Sequence, residues 1–149
     1  MNYKETMSRL NKALNNIDSA YAKIAKKHGL TFNSLMMMLY LLEESKNITK
    51  KQICDTLHLP KSTVHSILSD FIKQQYVTLV AGSNKKEKFV IFTEEGRGFF
   101  SKIFEETERF EEKVLSSLGK DTCSFLIETA EKLSGIIKDE IAEISDSEV

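Results

Sequence analysis

The chain has 149 residues, 41% of them hydrophobic and 29% charged, which is enough to bury a core as one domain or as two small packed parts. No apolar run approaches the ~20 residues that a membrane-spanning helix needs, and the first residues, MNYKETMSRLNK, lack the apolar segment of a signal peptide, so we expect a cytoplasmic protein. The formal net charge of −1 conceals a basic middle: residues 46–92 hold eight lysines and three carboxylates (+5), whereas residues 93–149 carry −8.

Two helices are predicted in the first third of the chain. The first has apolar residues at alternating spacings of four and three, a seam repeating every 3.5 residues that requires a partner helix. The residues of this seam are Tyr3, Met7, Leu10, Leu14, Ile17, Tyr21 and Ile24. Gly29 lies just past its end. The stretch FNSLMMMLYLLEES, residues 32–45, is apolar nearly all round and is therefore predicted to be a central helix.

A helix-turn-helix is predicted next. Thr49 and Gln52 form a capping-box pattern at the start of a third helix, and the short link HLP leads into LPKSTVHSILSDF, residues 59–71. On a helical wheel this fourth helix has one apolar side and one short, polar side. The apolar side consists of Val64, Ile67, Leu68 and Phe71, and the polar side of Ser62, Ser66 and Ser69 with His65 at its edge.

The last half of the chain is predicted to contain a β-hairpin and two long helices. YVTLVA and FVIF flank the polar turn GSNKKEK, a pattern typical of two antiparallel strands. Thr93 caps a helix that ends at Gly119, and Asp121 caps a last helix with Leu126, Leu133, Ile137 and Ile144 at helical spacing. We expect the first and last helices to form a subunit interface, although the first could instead pack against the last within one chain.

Three stretches in this order of elements resemble the MarR (multiple antibiotic resistance regulator) family of winged-helix repressors. They are GLTFNSLMMMLYLL at the second helix, LPKSTVHSIL at the recognition helix, and NKKEKFVIFTEEGRGF at the wing and the helix after it. The resemblance covers residues 3–148. It implies a mainly α fold with a small β-hairpin wing, in which residues 32–92 form a winged helix-turn-helix DNA-binding domain and residues 1–31 and 93–149 form a helical dimerisation region.

Two positions depart from the family pattern. Counting back from Thr93, Asn84 and Lys86 stand where the family has an Asp-x-Arg motif that stiffens the wing, and they cannot form that ion pair. Gln75 stands where the family usually has glycine, at the turn into the wing. Both departures leave the basic character of the wing intact, so we expect the wing still to contact DNA, but with lower rigidity, weaker minor-groove reading and a different turn into it.

The short polar face of the fourth helix fits a helix that enters the major groove of DNA. Hydroxyl side chains let the backbone approach base edges and still exchange hydrogen bonds with bases and phosphates. The alternative is an ordinary solvated face with charged residues in the hairpin turn. The predicted DNA-binding residues are Lys61, Ser62, Thr63, His65, Ser66, Ser69, Lys85, Lys86 and Lys88. Because one helix-turn-helix reads only a few base pairs, we expect a homodimer on a pseudo-palindromic operator.

The resemblance also implies release from DNA by a small aromatic or amphipathic effector. Met36, Met37 and Tyr40 are adaptable apolar surface that could line its pocket, although such a run is more often core. Cys54 and Cys123 are too few for a disulfide framework and are expected to be reduced. Cys54 and His58 lie four residues apart, but two ligands without a third are weak, so no metal and no cofactor is predicted.

Two other classes of function fit the sequence less well than a DNA-binding regulator. An enzyme is disfavoured because the sequence has no Gly-rich phosphate loop, nucleophile elbow or paired His and carboxylate motif. A winged-helix protein-interaction module without sequence-specific DNA binding is the alternative, but such an adaptor has no use for the lysines of the wing and recognition helix. The sequence therefore predicts a double-stranded DNA-binding transcriptional regulator that acts as a repressor.

Overall fold

The computed structural model describes residues 1–43, 47–84 and 86–147, and within them it contains six helices and one three-stranded antiparallel sheet. The helices are α1 (Tyr3–Lys27), α2 (Phe32–Glu43), α3 (Lys50–Leu57), α4 (Lys61–Lys73), α5 (Glu94–Leu118) and α6 (Lys120–Ser147). The strands are β1 (Ile48–Thr49), β2 (Val77–Ala81) and β3 (Lys88–Phe92). This order confirms the predicted mainly α fold with a winged helix-turn-helix.

The chain divides into two compact units, Met1–Glu105 and Glu106–Val149. The first unit contains α1 to α4, the sheet and the beginning of α5, and the second contains the rest of α5 and α6. These two units are defined by packing. The domains predicted from the sequence are defined by function, with a DNA-binding domain at residues 32–92 between dimerisation helices, and they stay a prediction.

The core of the first unit forms around α2, α4 and the start of α5. Leu35, Met37 and Met38 of α2 are completely buried, as expected for a helix that is apolar nearly all round. The predicted apolar side of α4 is also buried, and its Phe71 ring lies 5.4 Å from the ring of Phe100. The turn before β2 joins the same core, because the Tyr76 ring packs edge-on against Phe100 at 5.3 Å.

The predicted helix caps are mostly confirmed. At the start of α3, Gln52 N–H donates to the Thr49 hydroxyl (3.2 Å) and Thr49 N–H donates to Gln52 Oε1 (2.8 Å), which completes the capping box. At the start of α5, Gly96 N–H donates to Thr93 Oγ1 at 3.0 Å. The prediction that Asp121 caps the last helix is wrong by two residues, because the residue before α6 is Gly119. α6 begins at Lys120, so Asp121 lies inside its first turn, where its charge still suits the helix dipole.

The sheet has one strand more than the predicted hairpin. β2 and β3 pair as expected, with Leu79 opposite Val90. β1 pairs with the other edge of β3 and places Ile48 opposite the same Val90, so the strand order is β1-β3-β2. β1 was not predicted because a strand of two residues is too short to show an alternation of apolar and polar side chains. Its pairing with β3 connects the helix-turn-helix to the wing.

The turn from α4 into the sheet keeps a left-handed residue although it lacks glycine. Gln75 has φ +61°, its N–H donates to Ile72 O (2.9 Å), and Tyr76 N–H donates to Phe71 O (2.8 Å). These two bonds are the Schellman arrangement that ends many helices, usually with glycine at the position of Gln75. A side chain in this conformation costs roughly 1–2 kcal/mol.

We therefore predict that Gln75→Gly raises the free energy of unfolding by about 0.5–1 kcal/mol, because relief of the left-handed strain exceeds the added entropy of the unfolded chain. Urea denaturation at an unchanged m value measures it. Gln74→Gly is the matched control, since Gln74 has φ −78° and glycine there is expected to lower the free energy of unfolding by about 0.5–1 kcal/mol. Equal losses in the two variants would contradict the strain at Gln75.

In the second unit, Gly119 (φ +91°) joins α5 to α6. Cys123 N–H donates to Gly119 O (3.0 Å), and the Cys123 thiol lies 3.4 Å from Leu115 O. Apolar side chains of α6 remain exposed along the predicted stripe, with Leu126 at 50% and Ile137 at 40% of full exposure. An apolar stripe left in water on a long helix is characteristic of a surface that a further chain covers.

Candidate nucleic-acid interface

The polar side of α4 lies at the surface, as the sequence predicts. Pro60 precedes the helix as its N-cap, and Lys61 and Ser62 begin it. Of the six predicted DNA-binding residues on this helix, Thr63 is half-buried and the other five are exposed. The exposed residues are Lys61, Ser62, His65, Ser66 and Ser69. The apolar side of α4 is buried in the core and holds the helix in place, so the polar side faces solvent in a fixed orientation.

Part of this polar side forms one wall of an open groove of ≈ 460 Å³ in the first unit. The α4 wall consists of Ser62, Thr63, Ser66, Ile67 and Asp70. The opposite wall consists of Thr31, Asn33 and Ser34, at the N-terminal turn of α2. The structure thus brings Ser62, Thr63 and Ser66 together in the groove, while Lys61, His65 and Ser69 lie on α4 outside it.

The opposite wall is itself held by hydrogen bonds. The Thr31 hydroxyl donates to Ser34 Oγ at 2.8 Å, and Ser34 N–H donates to Thr31 Oγ1 at 3.1 Å. Thr31 therefore caps α2 and fixes the buried Ser34 side chain beside the groove. Most side chains of the two walls carry hydroxyl or amide groups, with Ile67 and Asp70 as the exceptions on the α4 wall, and this suits hydrogen bonding to a polar partner.

The wing turn is closed by Asn84. The side-chain oxygen of Asn84 accepts hydrogen bonds from Lys86 N–H (3.1 Å) and Glu87 N–H (2.9 Å). Across the turn, Gly82 N–H donates to Glu87 O at 2.7 Å. An asparagine that binds the backbone two and three residues ahead forms a turn of its own, so the wing is held without the Asp to Arg pair of the family pattern.

Two of the three predicted lysines of the wing lie around this turn. Lys86 is an exposed residue of the turn, and Lys88 is the exposed first residue of β3. Lys85, the third predicted lysine, lies outside the described residues. The wing therefore presents two exposed cations in the part that the structure describes, on an arm that β3 connects to β1 and so to the helix-turn-helix.

The predicted effector-pocket residues lie in α2. Met37 is completely buried, whereas Met36 and Tyr40 are half-buried. The Tyr40 hydroxyl accepts a hydrogen bond from Thr56 Oγ1 of α3 at 3.2 Å. None of the three residues lines the groove beside α4. Their role in binding an effector stays a prediction.

Neither cysteine is in a disulfide, and both Cys54 and Cys123 are half-buried. In residues 1–43, 47–84 and 86–147, no group of three or more His, Cys, Asp or Glu side chains is placed to hold a metal ion. The helices in the same part of the chain are all too short or too polar to cross a membrane.

Sequence reasoning missed five residues of the groove, Thr31, Asn33, Ser34, Ile67 and Asp70. The threonine and serine at the start of α2 have capping spacing right after Gly29, but their proximity to α4 depends on tertiary packing. Asp70 could have been found, because it lies four residues after Ser66 and therefore on the same side of the helix.

Comparisons with known proteins agree with this architecture. Residues 28–86 match a family model described as MarR family. The chain has no significant match among curated proteins. The matched region includes α2, the helix-turn-helix, β2 and the wing turn, and so contains the groove and its two walls.

Solved structures share the fold over most of their length. A MarR family regulator from Neisseria meningitidis superposes with a TM-score of 0.79 at 22% identity, covering 93% of this chain and 97% of the other. Staphylococcus aureus MarR in complex with salicylate and kanamycin gives 0.74 at 15% identity, covering 92% and 93%. S. aureus MepR in a DNA complex gives 0.71 at 12% identity, covering 92% and 98%. The resemblance to MarR family winged-helix regulators is thus confirmed, by sequence over residues 28–86 and by fold over most of the chain.

Proposed function

We propose, with the confirmed resemblance to the MarR family as the premise, that this chain is a transcriptional regulator that binds double-stranded DNA in a sequence-specific manner. The observation that carries the proposal is the polar side of α4, where Ser62 and Ser66 line an open groove while Val64 and Leu68 anchor the helix in the core. Short hydroxyl side chains on a rigidly held helix allow close approach to base edges. The solved MepR complex with DNA shows that a protein of this fold binds DNA.

The wing supplies the second half of the DNA contact. Lys86 and Lys88 are exposed on the hairpin, and the Asn84 side chain accepts a hydrogen bond from the backbone N–H of Lys86. Each lysine that neutralises a phosphate releases a condensed counterion, so binding becomes weaker as salt increases. Contacts to phosphate position the protein, and α4 reads the bases.

The regulator acts as a homodimer on a pseudo-palindrome. The exposed apolar residues of α1 and α6 support this, including Leu14 and Ile17 of the first and Leu126 and Ile137 of the second. A two-fold dimer presents two copies of α4, which matches two half-sites about one helical turn apart. Bound across a promoter, such a dimer represses by blocking polymerase.

A small molecule releases the regulator from DNA. The MarR protein from S. aureus was solved with salicylate and kanamycin, so a protein of this fold binds small molecules. For this chain the candidate residues are Met36, Met37 and Tyr40, of which Met36 and Tyr40 are partly accessible. Addition of salicylate to a preformed protein–DNA complex, with anisotropy as the readout, tests this step.

The test of the main proposal is fluorescence anisotropy with a labelled duplex from upstream of the protein's own coding region and a scrambled duplex, over a series of salt concentrations. We expect tighter binding to the first and a steep negative slope of log K against log salt. Lys86→Ala should flatten that slope by about 0.9 for each half-site, because one phosphate contact is lost per subunit.

Lys138→Ala is the control for loss of a positive charge. Lys138 is exposed on α6 and lies outside the proposed DNA surface, so the slope should stay that of the native protein. An equal change of slope in both variants would mean that only the overall charge matters. Absence of binding even at low salt would reject the DNA proposal in favour of a protein-interaction module.

A further inference from the structure

Asp70 is a charged residue on the otherwise uncharged wall of the groove. It is exposed and lies on α4, four residues after Ser66 and eight after Ser62. Residues four apart on a helix lie one above another, so these three side chains form one stripe about 12 Å long. Among the described residues that line the groove, Asp70 alone carries a charge.

This position raises a conflict with the proposed partner. DNA is a polyanion, and a carboxylate beside a phosphate is repelled. A carboxylate on the base-reading stripe is therefore compatible with tight binding only where it meets a hydrogen-bond donor of a base. Its oxygens can only accept hydrogen bonds when it is ionised, which restricts the bases it can contact.

The hydrogen-bonding groups on the major-groove edges of the bases limit which base the Asp70 carboxylate can contact. Guanine presents the acceptors N7 and O6, and thymine presents the acceptor O4 and a methyl group, so neither pairs with a carboxylate. Adenine offers its N6 amino group, but the N7 acceptor beside it repels the second carboxylate oxygen. Cytosine offers the N4 amino group without an adjacent acceptor on its own edge.

We infer that Asp70 is a specificity-determining residue that accepts a hydrogen bond from the N4 amino group of a cytosine in each half-site. This inference rests on the proposed function and deepens it, because it assigns one base to one residue of the groove. Ser62 and Ser66, which can both donate and accept, do not restrict the base in this way.

The test begins with duplexes that the native protein retains from a random pool. The retained half-sites should share a cytosine, and its replacement by thymine in both half-sites should weaken native binding by about 5- to 160-fold per half-site, the usual range for one mismatched base pair. Asp70→Ala should bind the cytosine and thymine duplexes with nearly equal affinity. Asp70→Asn should shift the preference to adenine, since asparagine pairs with N6 and N7 of that base.

Asp55→Asn is the matched control. Asp55 is an exposed carboxylate on α3 that does not line the groove, so its removal subtracts the same charge without touching the stripe. It should strengthen binding to all duplexes alike and keep the cytosine preference. Circular dichroism of each variant checks that the helical fold is unchanged.

Two outcomes would overturn the inference in different ways. If the native protein retains a defined sequence and Asp70→Ala keeps every base preference, the inference fails while the proposed function stands. The same holds if Asp70→Ala binds all duplexes more tightly with unchanged preference, since Asp70 then only repels phosphate. If the native protein retains no particular sequence, the proposed function fails and the inference fails with it.

Discussion

Replacement of Gly96 by alanine is expected to lower the free energy of unfolding by about 3 kcal/mol or more. A β-carbon at Gly96 would lie 1.9 Å from Tyr76 O and 2.7 Å from the carbonyl carbon of Tyr76. These are backbone atoms, so no side-chain rotation relieves the clash. The Tyr76 carbonyl also accepts hydrogen bonds from Thr93 N–H (3.0 Å) and from the Thr93 hydroxyl (3.2 Å), which an alanine would break by pushing the two segments apart.

The clash at position 96 should also disturb the packing of the aromatic rings of Tyr76, Phe99 and Phe100. The Tyr76 ring stacks on Phe99 with centroids 4.4 Å apart, and Phe99 and Phe100 pack edge to face at 5.1 Å. Displacement of Tyr76 disturbs these contacts, and domain stability is only about 5–15 kcal/mol in total. Urea and thermal denaturation of the variant measure the loss.

Gly98→Ala is the matched control in the same turn of α5. A β-carbon at Gly98 meets nothing within 4 Å, and alanine is about 0.8–1.0 kcal/mol better than glycine inside a helix. This variant should therefore be as stable as the native protein or slightly more so. A stability of Gly96→Ala close to that of Gly98→Ala would contradict the close packing of α5 on the turn before β2.

Ile137→Glu is expected to convert the proposed dimer into monomers and to weaken DNA binding by a factor of about 10²–10⁴, the usual contribution of a second linked site. Ile137 lies on the apolar stripe of α6 and is 40% exposed in the single chain, so the change should leave the monomer folded. In a two-fold interface each substitution appears twice. A buried, unpaired carboxylate on each subunit adds a desolvation penalty to the lost apolar burial.

Light scattering and DNA anisotropy on the same sample measure both effects. Ala142→Glu adds the same charge to α6 at an exposed position about 140° around the helix from Ile137, and it should leave the mass unchanged. A dimeric mass for Ile137→Glu at micromolar concentration would contradict the role of this stripe. A monomeric mass for the native protein would contradict the dimer itself.

Much of the fold follows from local pattern. The 3.6-residue periodicity of α4 predicts its buried side, and the capping box at Thr49 predicts the start of α3, because both depend on residues close together in sequence. β1 could not be predicted, since two residues carry no alternation and their pairing with β3 joins segments forty residues apart. The left-handed Gln75 was also beyond prediction, because glutamine rarely adopts that conformation.

The candidate site was only partly predictable, because part of it is formed by residues that are far apart in the sequence. The serines of α4 could be identified from the wheel, but the wall formed by Thr31, Asn33 and Ser34 depends on how α2 packs against α4. Asn84 stands where the family has the Asp of its Asp-x-Arg motif. The Asn84 side chain accepts hydrogen bonds from the backbone two and three residues ahead, and these bonds hold the turn in place of the missing ion pair. That compensation could be predicted from the turn-forming preference of asparagine.

The most direct test of sequence-specific binding by a dimer is to sequence the duplexes that the native protein retains from a random pool at physiological salt. We expect enrichment of an inverted repeat whose half-site centres are about 10 base pairs apart, the spacing of two recognition helices on one face of DNA. Retained duplexes with the same sequence composition as the input pool would contradict it, because the groove and wing would then bind DNA without reading it.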